Sequence, residues 1–347
     1  MTGWKEDILG PGFECMDLDL GEDAEGPLVA TLVRSLPAPR GFWERHFGKA
    51  RLLEDIDILY VHGWSDYFFQ RTLARFFTDR GARFFALDLR KYGRSLRPGQ
   101  TFGYIDDLEE YDEEIGLALD EMRGSAAPGE SPRRTLLFGH STGGLILSLW
   151  ADRHPGVAAG VLLNSPWLEL QIAEAGRQWI APIVNLSVRL NPREAGPQLD
   201  FGFYSRAQAE VGPRADLDGV NTEWRPDRTH PVLSGWMRAI LVGHARVASG
   251  LDIQAPVGML LSKRYSFRTR WSESLTRVDT VLDVDAVARA SLKLGAVVSI
   301  GRIDGALHDV FLSADEPRAE AYRRLEEWLV GWRAVDAAHA SAASRGR

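Results

Sequence analysis

Short apolar runs alternate along the chain with stretches whose apolar positions recur at helical spacing. Residues 13–20 and 28–34 read as an opening hairpin, and residues 56–61, 84–87, 135–138 and 157–163 as buried strands. Between them, residues 67–80, 105–122 and 144–154 carry the 3.6-residue period of amphipathic helices. The pattern resumes with apolar runs at 256–261 and 296–300, a helix-like stretch at 284–294, and a final amphipathic helix over 316–332. Strand, helix, strand in repetition predicts an α/β fold whose mostly parallel sheet is covered by helices on both faces.

Residues 165–250 break this rhythm with scattered prolines, the tryptophans Trp167, Trp179, Trp224 and Trp236, and helical pieces joined by Gly/Pro/Asp loops. An insertion of that size between two strands is most simply a cap over the carboxyl ends of the sheet. The expected organisation is therefore a core from residues 1–164 and 251–333 and a cap from 165–250. Residues 334–347, rich in Ala, Ser and Arg without apolar periodicity, predict a disordered tail. No internal repeat is present.

Composition narrows the possible partners. The chain has 347 residues, 45% of them apolar, enough for one large core. Its net charge of −7 and its lack of a basic stripe argue against nucleic acid as a partner. Cys15, the single cysteine, allows neither an intrachain disulfide nor a cysteine-based metal cage. The first residues lack an apolar signal region, and no apolar run reaches the ~18 residues a membrane span requires. These features predict a soluble, cytoplasmic protein without integral membrane association.

Gly139-His140-Ser141-Thr142-Gly143 follows an apolar run and precedes a helix-like one. This is the G-x-S-x-G form of a nucleophile elbow, in which a strand reverses sharply into a helix and lifts the serine hydroxyl out of the sheet. The flanking glycines leave room for the strained turn. The Thr142 backbone N–H then points to where an oxyanion would form. A serine nucleophile needs a base and the base an orienting acid. Of the eight histidines, His308 is best placed, in a loop beyond the last strand. His62 and His140 sit inside glycine motifs, while His46, His154, His230, His244 and His339 lie in helical or irregular polar segments. The acid should lie between Ser141 and His308 in chain order; Asp279 stands on the loop side of Val278-Asp279-Thr280-Val281-Leu282-Asp283, with Asp283, at a helix start, as the alternative. The second oxyanion donor is expected from His62-Gly63-Trp64, after strand 56–61, through the Trp64 amide.

Together, His62-Gly63-Trp64, Asp88-Leu89-Arg90-Lys91-Tyr92-Gly93-Arg94-Ser95, Gly139 to Gly143, Asp279 followed by Val281 and Asp283, and Gly305-Ala306-Leu307-His308-Asp309 resemble the α/β-hydrolases of the serine aminopeptidase S33 group, which is also monoacylglycerol lipase- and lysophospholipase-like. The resemblance implies the α/β-hydrolase fold, with a mostly parallel eight-stranded sheet and an inserted cap, and favours Asp279 as the acid. Two departures stand out: Arg90-Lys91-Tyr92-Gly93 replaces the usual Arg-Gly-His-Gly, and the acid loop carries an additional polar and aromatic stretch over 262–277. The expected chemistry is two-step acyl transfer on a small-molecule ester, with Ser141, His308 and Asp279 as triad, Trp64 and Thr142 as oxyanion donors, and no metal or cofactor. Trp167 and Trp179 in the cap are candidate substrate contacts. Peptide or carbon–carbon bond cleavage would use the same triad, and a ligand-binding protein could share the fold. Epoxide and haloalkane hydrolysis would need a carboxylate where Ser141 stands.

Overall fold

In a computed structural model, which describes residues 3–41, 48–125, 131–170, 184, 187–198 and 200–345, nine strands form one sheet in the order β1-β2-β3-β5-β4-β6-β7-β8-β9. The strands are β1 (Lys5–Glu6), β2 (Glu14–Asp23), β3 (Gly26–Ser35), β4 (Ile56–Val61), β5 (Arg83–Asp88), β6 (Arg134–His140), β7 (Ala158–Asn164), β8 (Val257–Ser262) and β9 (Val298–Ile303). Strands β1 to β3 are antiparallel and join β5 antiparallel; from β5 to β9 every pairing is parallel. The ninth strand, absent from the eight expected, is β1. Its two residues are too short to show any alternation.

The central strands are buried on both faces because helices cover both. The helices are α1 (Arg71–Asp79), α2 (Tyr111–Gly124), α3 (Thr142–Arg153), α4 (Phe203–Val211), α5 (Arg214–Leu217), α6 (Ser234–Ser249), α7 (Val284–Ser291) and α8 (Asp315–Arg345). Leu59 and Val61 of β4 pack with α2 and α3, whereas Ile58 and Tyr60 pack with α1 and α8. This is the two-residue period of a strand read out as two half-cores. Residues 67–70, expected to open a helix, instead form a plug. Tyr67, Phe68 and Phe69 are buried, and the Phe68 amide donates to Asp88 Oδ1 (2.9 Å), so helix α1 starts only at Arg71. The backbone of α8 continues to Arg345.

Between β7 and β8 the chain builds α4, α5 and α6. Helix α6 is tied directly to the core. Trp236, Ala239, Ile240 and Val247 share a buried cluster with Leu145 and Leu149 of α3, and a Cβ at Gly243 would lie 2.9 Å from Leu108 Cδ1.

Candidate active site

Ser141 sits between β6 and α3 with φ 51° and ψ −117°, a conformation that a residue bearing a Cβ adopts only under strain. Backbone bonds hold it there: its N–H donates to Asn164 O (3.0 Å), and its carbonyl accepts from Gly144 N (3.0 Å) and Trp167 N (2.9 Å). The glycines around it answer to close backbone approach. A Cβ at Gly139 would lie 2.5 Å from Gly144 Cα, and one at Gly143 would lie 2.3 Å from Val61 O. Gly63, after β4, faces the serine so closely that its Cβ would meet Ser141 Cβ at 3.0 Å. The loop bearing Trp64 and the N-terminus of α3 bearing Thr142 therefore flank the same serine.

His308 lies in the loop after β9, and its Nδ1–H donates to Asp279 Oδ2 at 2.9 Å, with both side chains buried. The other Asp279 oxygen accepts from the amides of Val281 (2.7 Å) and Leu282 (2.8 Å). A carboxylate that accepts three hydrogen bonds is held in one rotamer. With Nδ1 turned to Asp279, Nε2 is the nitrogen left over, and among the described residues that buried atom has no hydrogen-bond partner. Asp283 is engaged elsewhere. It caps α7, its Oδ1 accepting from Asp285 N (3.0 Å) and Ala286 N (2.9 Å).

Several residues around this pair were given no role in the site by the sequence. Asp309 anchors the histidine loop to the strand ends, accepting from Asn164 Nδ2 (2.8 Å), Gln70 Nε2 (3.2 Å) and the Phe311 amide (3.0 Å). Tyr204 of α4 accepts the Asp309 amide (3.1 Å) and sets its ring edge against His308, centroids 5.5 Å apart. Burial pushes its phenol well above the ordinary value, so it stays protonated. His140 packs 5.0 Å from His308, donates Nδ1–H to Asn164 O (3.0 Å), and is kept neutral because burial lowers its pKa. His62 is locked as the Nδ1–H tautomer between Gly63 O (2.8 Å) and the Leu89 amide (3.1 Å). These two histidines organise loops.

The loop after β4 is also clamped by the insertion. Ser65, at φ 54°, accepts the His230 amide (3.0 Å) and lies 2.8 Å from His230 Nδ1; Trp64 Nε1 donates to His230 O (3.3 Å); and Asp66 pairs with Arg225 (2.8 Å). Trp167, whose amide bonds the Ser141 carbonyl, packs its ring against Trp236 and His244. His244 Nε2–H donates to Trp167 O (2.9 Å), and burial depresses its pKa to about 4. Trp179, the other expected substrate contact, lies outside the described residues. Among the described residues no group of three or more His, Cys, Asp or Glu could hold a metal ion, and no helix is long and apolar enough to cross a membrane.

A parallel sheet flanked by helices, with a serine on a strained strand-to-helix turn and a histidine–aspartate pair on later loops, defines the α/β-hydrolase fold. The matching family model is that of serine aminopeptidase, S33, over residues 56–218, a span that includes the elbow and the Trp64 loop but stops short of Asp279 and His308. Similar solved structures include a soluble variant of monoglyceride lipase from Saccharomyces cerevisiae in complex with a substrate analog (16% identity, TM-score 0.61, covering 92% of this chain and 96% of that one). A monoacylglycerol lipase from Paleococcus ferrophilus matches at 21% identity and TM-score 0.60, covering 87% and 99%. A thermostable carboxyl esterase from Bacillus coagulans, in complex with glycerol, matches at 14% identity and TM-score 0.57, covering 91% and 98%. No curated protein matches the sequence.

Proposed function

We propose that this chain is a serine hydrolase that cleaves carboxylic esters of small molecules through an acyl-enzyme. The observation that carries the reading is the His308–Asp279 bond, which leaves a buried, unpaired Nε2 lone pair in a loop that Asp309 ties to Asn164. The Asn164 carbonyl in turn accepts the Ser141 amide. His308 takes the Ser141 proton as Oγ attacks the ester carbonyl. Asp279 holds the ring tautomer and stabilises the imidazolium that forms. The Trp64 and Thr142 amides receive the oxyanion, an interaction worth on the order of 10²-fold or more per donor. His308 then protonates the leaving alkoxide, and water, activated by the same histidine, releases the acid. No cofactor enters these steps.

The insertion over residues 165–250 serves as the cap in this account, with Trp167 and Trp179 as candidate substrate contacts. The similarity to monoacylglycerol lipases and carboxyl esterases supports an ester of the monoacylglycerol type; a lysophospholipid ester would use the same chemistry. A panel of p-nitrophenyl esters of rising acyl length, run beside aminoacyl p-nitroanilides, tests the reading. Ester turnover that disappears in Ser141→Ala is expected. Turnover of the anilides alone would make the protein a peptidase and refute the ester assignment.

A further inference from the structure

The stretch that interrupts the acid loop reads Lys263-Arg264-Tyr265-Ser266-Phe267-Arg268-Thr269-Arg270-Trp271, cationic and aromatic residues interleaved without an acid, in a chain whose net charge is −7. Residues 263–265 and 267–270 are exposed, and Phe267 retains 52% of its surface in solvent. Asp304 pairs with Arg264 (2.7 Å) and lies 3.7 Å from Lys263, whereas Arg268 and Arg270 have no acidic partner among the described residues. The aromatic surface extends beyond the loop. Tyr265 packs on Phe267 (5.2 Å), Trp271 meets Phe203 (5.8 Å), and Phe203 stacks on Phe201, itself 51% exposed. Arg206 lies 4.0 Å over the Trp271 ring.

This surface adjoins the active site. Arg264 O accepts the Asp279 amide (2.9 Å) and Ser266 N donates to Asp279 O (2.8 Å), so the loop is paired with the acid's own backbone. Phe203 precedes Tyr204, whose ring rests on His308.

We propose that residues 263–271, with Phe201, form a docking surface for an anionic lipid interface. Arg268 and Arg270 supply attraction to lipid phosphates, and exposed Phe267 and Phe201 supply apolar area that enters the headgroup boundary. The charge is local and opposite to that of the whole chain, which orients the approach. An exposed loop of interleaved arginines and aromatics suits a lipid interface better than a nucleic acid, which calls for a groove tracking the backbone. On the ester-hydrolase reading the surface would bring the site to esters held in the interface, but binding itself does not depend on that reading.

Sedimentation of the full chain with phosphatidylcholine vesicles, with and without phosphatidylglycerol, tests the proposal without any turnover. The chain is expected to co-sediment only with the anionic vesicles, and to be released by high salt. The double variant Arg268→Ala/Arg270→Ala should bind about 30-fold more weakly, at about 1 kcal/mol per arginine. Phe267→Ser should weaken binding while leaving the salt dependence unchanged, and both variants should melt at the wild-type temperature. Failure of the wild type to bind anionic vesicles, equal binding to neutral ones, or wild-type binding by the double variant would overturn the proposal. So would arginine-dependent binding of a single-stranded oligonucleotide without vesicle binding.

Discussion

The proposed Ser141, Asp279 and His308 could be picked from the sequence because chemistry limits which residue types serve and because chain order limits where they stand. Geometry then separates the two acids that spacing left open. Asp279 reaches His308 Nδ1, and Asp283 spends its carboxylate on the first turn of α7. Asp279→Asn should therefore lower kcat by about 10⁴-fold, as expected when the imidazole loses its tautomer-fixing partner. Asp283→Asn should retain near-wild-type kcat and stability, since Asn caps a helix about as well as Asp. Steady-state kinetics and thermal melts on both variants check this. The residues that escaped sequence reasoning share one property: their partners are distant in the chain. Tyr204 accepts the amide of Asp309, and Gln70 donates to the Asp309 carboxylate. No local period or spacing marks such pairs.

At the scale of elements, the strands were the most legible part, because burial on both faces makes β4 to β8 continuous apolar runs with turn residues at their ends. Boundaries moved where a side chain claimed a backbone group, as when Asp88 took the Phe68 amide and delayed α1. The contact between the loop after β4 and the insertion could not be read at all, since it joins Ser65 to His230. That clamp holds a strained serine next to the proposed oxyanion amide of Trp64. Neutral His230, its pKa lowered by burial, offers Nδ1 as an acceptor to the Ser65 hydroxyl. His230→Ala should lower kcat by about tenfold to a hundredfold with little change in KM, because a misplaced oxyanion donor costs the transition state more than the ground state. His230→Asn, whose Oδ1 can replace Nδ1, should restore most of the loss. Equal falls in activity and melting temperature in both variants would reduce the clamp to a packing contact.

The whole molecule couples core and insertion through α6, which packs on α3 and carries His244. That coupling has a pH signature. His244 has a folded pKa of about 4 against an ordinary value of 6.5, so between those values the unfolded chain binds the proton and the folded one does not. Its stabilising contribution is complete above about pH 6.5 and is lost as pH falls towards 4, by an amount on the order of 3 kcal/mol. His244→Gln keeps an N–H donor for the Trp167 carbonyl and does not titrate. Its melting temperature should fall less than that of wild type between pH 7 and 4.5, and parallel curves would refute the assignment. The most direct test of the central claim is mass spectrometry of the protein after treatment with a fluorophosphonate. The account predicts a single covalent adduct on Ser141 that Ser141→Ala abolishes; an unlabelled wild type, or a Ser141→Ala variant labelled to the same extent, would contradict it.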